Sequence, residues 1–384
     1  MVVRALFAIL AAAAITLTGP QGAQRPDSRV EIIATPDGGI QPQAAIDTAG
    51  TIHLLYFKGE PGGGELFYVR RKARDSGFTA PLRVNSEAGT AIATGSVRGG
   101  QIALGRGGWI HVAWNGSKPI ERGGVKQTPM WYARLAPGGG TFEAQRPIGT
   151  QTKNLDGGGS IAAGADGHVF VVWHAAGAEE GEPHRPIYVA TSADDGGRFA
   201  PEKAFPNDGG ACGCCGVETL VDPKGRLQIL YRSAGAMIHR DAMWLTIGPQ
   251  GASAPVQLQP WELPACPMTT FAMAATPAGI VAAWETQQQI YSAVLDPDHR
   301  TLSAVAPMAG AAVRKHPSVA INSAGDRLIA WTEGTAWARG GTVAWALLSP
   351  KGAPMARASS AGAVPVWGLV SAIARPDRTF VVFR

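Results

Sequence analysis

Charge is scarce in this chain. Asp, Glu, Lys and Arg together make up only 16% of its 384 residues, and the formal net charge is +5 with basic residues scattered among acids. A nucleic-acid-binding surface would cluster its Lys and Arg on one face or stripe, so that partner class is excluded. The single dense basic run, Arg70, Arg71, Lys72 and Arg74, stands at the end of an expected strand, where solvated charge discourages edge pairing. Long apolar runs are missing too. After residues 5–17 no segment approaches the ~20 apolar residues that a membrane-spanning helix needs. No phosphate-cradling glycine loop and no nucleophile elbow stand between a strand and a helix, which sets aside nucleotide and serine-hydrolase chemistry. Cysteine is limited to four positions, 212, 214, 215 and 266.

What is present is glycine, proline and short β-branched or aromatic runs. Fifty Gly and 28 Pro punctuate the chain, a composition that describes a turn-rich all-β protein. The start, Met1-Val-Val-Arg4 followed by an apolar stretch from Ala5 to Leu17, reads as an export signal. Cleavage after Ala23 would leave residues 24–384 as one domain, exported to the periplasm or secreted. Glycine-rich as it is, the chain is expected to be a monomer with no membrane span.

Internal repetition decides the architecture. Gln41-Pro-Gln-Ala-Ala-Ile-Asp-Thr-Ala-Gly50 aligns with His316-Pro-Ser-Val-Ala-Ile-Asn-Ser-Ala-Gly325 although 275 residues separate them. After each such segment comes a turn and a hydrophobic strand ending in an aromatic: Tyr56, Trp114, Trp173, Tyr231, Trp284, Trp331 and Phe383. Their spacings of 58, 59, 58, 53, 47 and 52 residues suit a four-stranded unit with its turns. Seven copies predict a seven-bladed β-propeller of mostly four antiparallel strands, with six blades as the alternative. The last copy lacks outer strands, and an unclaimed strand at 29–34 precedes the first. That N-terminal strand is expected to complete the final blade and close the ring.

Between the third and fourth strands of blade three stands Ser192-Ala-Asp194-Asp-Gly196-Gly-Arg-Phe199. This segment resembles the Asp-box, or BNR repeat, of bacterial sialidases and related propellers. The resemblance implies a structural cap, with Asp194 accepting backbone N–H groups, Gly196 relaxing the backbone and Phe199 plugging the sheet packing. A wider resemblance, to exported bacterial BNR-repeat proteins often labelled exo-alpha-sialidases, rests on Cys212-Gly-Cys214-Cys215, Arg240-Asp241, Trp261 to Cys266-Pro267, and His316-Pro317. It implies no particular reaction.

In such a fold one face collects the connections into the first strands and out of the second strands. On that upper face fall all four cysteines, Met268, His316, Arg232, Glu285 and Glu333, together with the long connections 115–129 and 174–186. Lengthened loops on one side of a rigid scaffold mark a binding face. Three readings of the cysteines stand open. Two disulfides, one joining the 212–215 segment to Cys266, are the simplest in an oxidising compartment. A soft-metal centre would draw on Cys212, Cys214, Cys215, Cys266, Met268 and His316 for Cu(I), or on the set without Met268 for Zn. A redox pair is the third.

Hydrolysis can be tested against what sialidase resemblance requires: three arginines gripping a carboxylate, a tyrosine nucleophile late in the chain, and acidic partners. No Tyr follows Tyr291. Arg232, Arg240 and Arg384 are candidates for the grip, and Asp241, Glu285 and Glu333 for paired carboxylates in glycoside hydrolysis. The sequence therefore points to an exported propeller binding a glycan, a protein or a soft metal at the cysteine-bearing face, with an exo-sialidase or related glycosidase as the alternative. His53, His111 and His168 read as structural members of the repeat.

Overall fold

A computed structural model describes residues 29–122, 124–205, 209–308 and 310–384, and the expected signal segment, 1–23, lies outside them. The repeat becomes a ring of seven sheets. Inner strands run over Ile40–Ile46, Gln101–Leu104, Ser160–Ala163, Glu218–Val221, Phe271–Thr276, Arg314–Ile321 and Ser371–Ala374. Each contacts the next, and the seventh contacts the first. The second strands carry the seven aromatics found in the sequence, none more than 3% exposed. Alternation explains this: on a blade covered on both faces, a bulky ring fills the gap to the neighbouring sheet. Among the described residues, helix is confined to three short 3-10 turns, and none is long and apolar enough to cross a membrane.

Two local devices account for the repeated sequence. In the turn after the inner strand, the side chain of Asp47 accepts the N–H groups of Ala49 and Thr51 at 2.9 and 2.8 Å. Asp222 and Asn322 do the same for residues two and four further on. Gly50 and Gly325 close these turns with φ of 78° and 83°, which side-chain-bearing residues resist. At the opposite end, Gln41 and His316 share a left-handed backbone (φ 53° in both) just before proline, and the strand register shifts there. The aligned Gln-Pro and His-Pro pairs are therefore bulges at the channel mouth. Of the three repeat histidines, His53 and His111 bond the hydroxyls of Tyr68 and Tyr132 on the third strands at 2.6 and 2.8 Å, while His168 stands just before its second strand, partly exposed and 2.7 Å from the Asp166 carboxylate.

Ring closure holds one surprise. The strand Val30–Ile33 does complete blade seven, but it lies parallel to Phe380–Phe383, in a three-stranded sheet. A third strand normally runs antiparallel to the second. Here the chain must leave the closing strand on the upper face, where Ile40–Ile46 begins after six intervening residues, and only the parallel direction brings it there. Thr35 then caps the C-terminal Arg384 carbonyl with its N–H and hydroxyl, at 2.9 and 2.6 Å. Phe380 sits wholly buried between the last two blades with Val30, Leu347 and Val382. Replacing it, Phe380→Ala, is predicted to cost about 3–5 kcal/mol, measured by denaturant unfolding. A loss under about 1 kcal/mol would show that the closure does not carry the ring.

Candidate functional site

The upper mouth between blades three, four and five is built around a single tight turn. Cys215 N–H donates to the Cys212 carbonyl at 3.2 Å, closing a four-residue turn that points its cysteines inward. Main-chain bonds pin it on three sides: Cys212 N–H to the Arg232 carbonyl (2.8 Å), Gly216 N–H to Thr269 (2.9 Å) and Val217 N–H to Gly158 (3.1 Å). The Gly213 N–H reaches the Glu182 carboxylate at 2.7 Å. Cys212, Cys214 and Cys215 are all buried, and their sulfurs lie within 4.8 Å of one another.

The expected pair of disulfides is one. Cys214 is bonded to Cys266, while Cys212 and Cys215 are free thiols with their sulfurs 3.3 Å apart. That separation is a contact well beyond the ~2.05 Å of an S–S bond. Met268 packs against the cluster. His316 is placed elsewhere: its Nδ1 lies 3.3 Å from the Thr270 hydroxyl, its ring faces the central channel, and burial pushes its pKa down to about 3.

The electrostatics of the turn are set by Arg232, which is 1% exposed. Its guanidinium stacks over Trp261 and Phe271, donates to the carbonyls of Arg240 and Glu285, and donates to the Thr269 hydroxyl at 2.7 Å. That hydroxyl donates in turn to the Cys215 sulfur at 3.4 Å. Burial alone would raise the Cys215 thiol, but the Cys212 thiol, Arg232 and Thr269 outweigh it and bring it below its ordinary value. Cys212 is pushed the other way by its bond to Cys215 and by burial.

Around this core the remaining candidates are each held in place. Arg240 pairs with Glu182 at 2.8 Å. Asp241 accepts Trp261 N–H and the Gln257 amide at 2.8 and 2.9 Å. Glu285 is buried and pairs with Lys315 at 3.4 Å, and burial raises its carboxyl to about 7. Glu333 is bound by Arg314 at 3.2 Å and by the Trp331 indole at 3.1 Å. Arg384, at the end of the closing blade, donates to the Ala363 carbonyl on the outer edge of blade six. Asn115, which begins a glycosylation sequon, is 1% exposed and bonded to the Gly157 carbonyl. On the opposite face, in the Ser192 to Phe199 turn, Asp194 accepts from Ser192 and from Arg198 N–H at 2.7 and 2.8 Å, and Phe199 meets Tyr132 edge-on.

Several site residues carry no signal in the sequence. Glu182, Arg185 and His174 come from the 174–186 connection, where Arg185 bonds His174 and His174 bonds the Cys215 carbonyl at 2.9 Å. Only the length of that loop pointed to Glu182 and Arg185, whereas His174 is placed on the upper face by its position at the end of a second strand. Glu218 was also missed, since it falls inside an ordinary inner strand. It lines the central cavity of about 150 Å³, to which all seven blades contribute, with Gln43, Gln101, His316, Ser318 and Ser371. Desolvation there raises its carboxyl to about 8.

No family model and no curated protein sequence matches this chain. Solved structures do. A fungal lectin from Aleuria aurantia, a six-bladed β-propeller described with a fucose recognition mode, is 10% identical over 85% of this chain and 95% of its own, with TM-score 0.52. A protein of unknown function from Dyadobacter fermentans is 14% identical, covering 84% of this chain and 93% of its own at TM-score 0.51. The NanB sialidase of Streptococcus pneumoniae is 6% identical at TM-score 0.52 over 77% of this chain, which spans 65% of that enzyme. At such identities the likeness is one of fold, a propeller shared with sialidases and lectins.

Two predictions follow from the charges in this region. Glu218 binds its proton more tightly folded than unfolded, so its contribution to stability is fully present below its ordinary pKa and is lost as pH rises through about 8. Glu218→Gln should therefore match the native protein at about pH 4 and exceed its melting temperature increasingly toward about pH 9; parallel melting curves across that range would refute the assignment. Thr269→Val removes the hydroxyl that serves Cys215. The Cys215 thiolate absorbance should then titrate nearer the ordinary ~8.5, and an unmoved titration would show the hydroxyl to be idle.

Proposed function

We propose that the protein is an exported binding propeller that holds a thiophilic metal ion, of the Cu(I) class, on Cys212 and Cys215 at its upper face. The observation that carries this reading is a pair of buried free thiols in contact, 3.3 Å apart, on a backbone turn fixed from three blades. Soft thiolates select Cu(I), for which two sulfur ligands suffice. Zinc in a structural site asks for four ligands, and the sulfur group here comprises three, one of them engaged in a bridge. The Met268 thioether beside the cluster adds a further soft surface. Export agrees with the apolar N-terminal segment and with a disulfide, which persists in oxidising compartments.

Glycoside hydrolysis is the weaker reading. It needs two carboxylates facing a sugar, whereas Asp241, Glu285 and Glu333 are each engaged by partners of their own. Recognition of a glycan or a protein at the same rim is the second reading. It is favoured by Trp337, 61% exposed, whose ring meets Trp367 edge-on at 4.7 Å.

Anaerobic titration with Cu(I) against a chromogenic chelator decides between these. One equivalent should bind. Cys212→Ser and Cys215→Ser should each weaken binding by more than the roughly 10–100-fold typical of losing an outer-shell partner. Equal affinity in all three proteins would sink the metal reading and leave the aromatic rim as the better site.

A further inference from the structure

The four sulfurs form a graded series from solvent to interior. Cys266 is exposed, Cys214 is 7% exposed, and Cys212 and Cys215 are each 1% exposed. Cys214 is bonded outward to Cys266, yet its sulfur lies only 3.5 Å from that of Cys212. We propose, building on the metal reading above, that the Cys214–Cys266 bridge sets how many sulfurs the site offers: two while it is closed, and three once a dithiol reductant opens it from the Cys266 side.

Geometry favours this direction of opening. The turn that carries Cys214 is tied by main-chain bonds to Arg232, Thr269 and Gly158 and by Gly213 to Glu182, none of which depends on the bridge. Breaking the bridge therefore leaves Cys214 within 4.8 Å of both other sulfurs. Cys266, by contrast, lies in the exposed run Pro264, Ala265, Cys266, where an external thiolate can approach its sulfur.

The chemistry balances as an ordinary exchange. A thiolate of the reductant attacks the Cys266 sulfur, the bond to Cys214 breaks, and Cys214 leaves as a thiolate. The second thiol of the reductant then attacks the mixed disulfide and releases Cys266. Two electrons pass from the dithiol to the bridge, and the reductant departs as its own disulfide. The interior suits the product. Arg185, Arg232 and Arg240 lie within electrostatic reach of Cys212, so added negative charge on a third sulfur meets three guanidiniums, of which Arg240 is paired with Glu182.

The test compares four preparations of the full-length exported protein: native, native reduced with dithiothreitol and desalted anaerobically, Cys266→Ser, and Cys214→Ser. Thiol counting should find two thiols in the native chain and four after reduction. With one equivalent of Cu(I), X-ray absorption should report two sulfur neighbours in the native protein and in Cys214→Ser. It should report three in the reduced protein and in Cys266→Ser, with affinity raised at least ~10-fold. The same two-sulfur coordination and affinity in all four would overturn the switch while leaving the metal site standing. No Cu(I) bound in any of them would overturn both.

Discussion

The structure depends on a single non-covalent seam. A ring of sheets has no stable partial form, because an unclosed propeller exposes two sheet faces built to be buried and two open strand edges. Here the seam is the parallel pairing of Val30–Ile33 with Phe380–Phe383, reinforced by Thr35 on the Arg384 carbonyl and by the Arg375–Glu31 pair at 2.7 Å. It joins the first described strand to the last. Everything on the upper face inherits its geometry from that closure, since blades three to six are held at fixed angles only while the circle is complete.

Within the ring, the upper face is stitched by buried polar groups that cross from blade to blade. Arg232 of blade four reaches Thr269 and the Glu285 carbonyl of blade five. Lys315 of blade six reaches back to Glu285. Arg240 meets Glu182 from the end of blade three's long connection. Buried charge of this kind adds little net stability, but removing one partner strands the other, so each pair fixes the relative setting of two sheets. The same groups surround the cysteines. Arg232 thus serves two ends: it locks blades four and five together, and through Thr269 it stabilises the sulfur of Cys215.

This double use explains why the acidic candidates look so different once folded. Glu285 and Glu333 stand at strand ends on the expected face, but the cations that hold them, Lys315 and Arg314, begin the inner strand of blade six. Glu285 is consumed in joining blades five and six, and Glu333 in tying the first two strands of blade six together. Glu218, which nothing in the sequence distinguishes from its neighbours, is the carboxyl that faces the open channel. A strand residue lies on one face or the other by alternation, and which face meets water depends on whether that strand is innermost in the ring.

The sequence by itself determined the all-β class, the seven copies, the aromatic lining of the second strands and the gathering of the cysteines on one face. These follow from local periodicity and from the order of strands within a repeat, both written in the chain. Tertiary structure alone decided the parallel sense of the closing strand, the choice of Cys214 as the partner of Cys266, the contact of Cys212 with Cys215, the withdrawal of His316 from that cluster, and the pairing of Glu285 and Glu333 with Lys315 and Arg314. Each of these rests on distances of a few ångströms between segments far apart in sequence, and such distances are set by how blades pack around the ring rather than by the residues of any one blade.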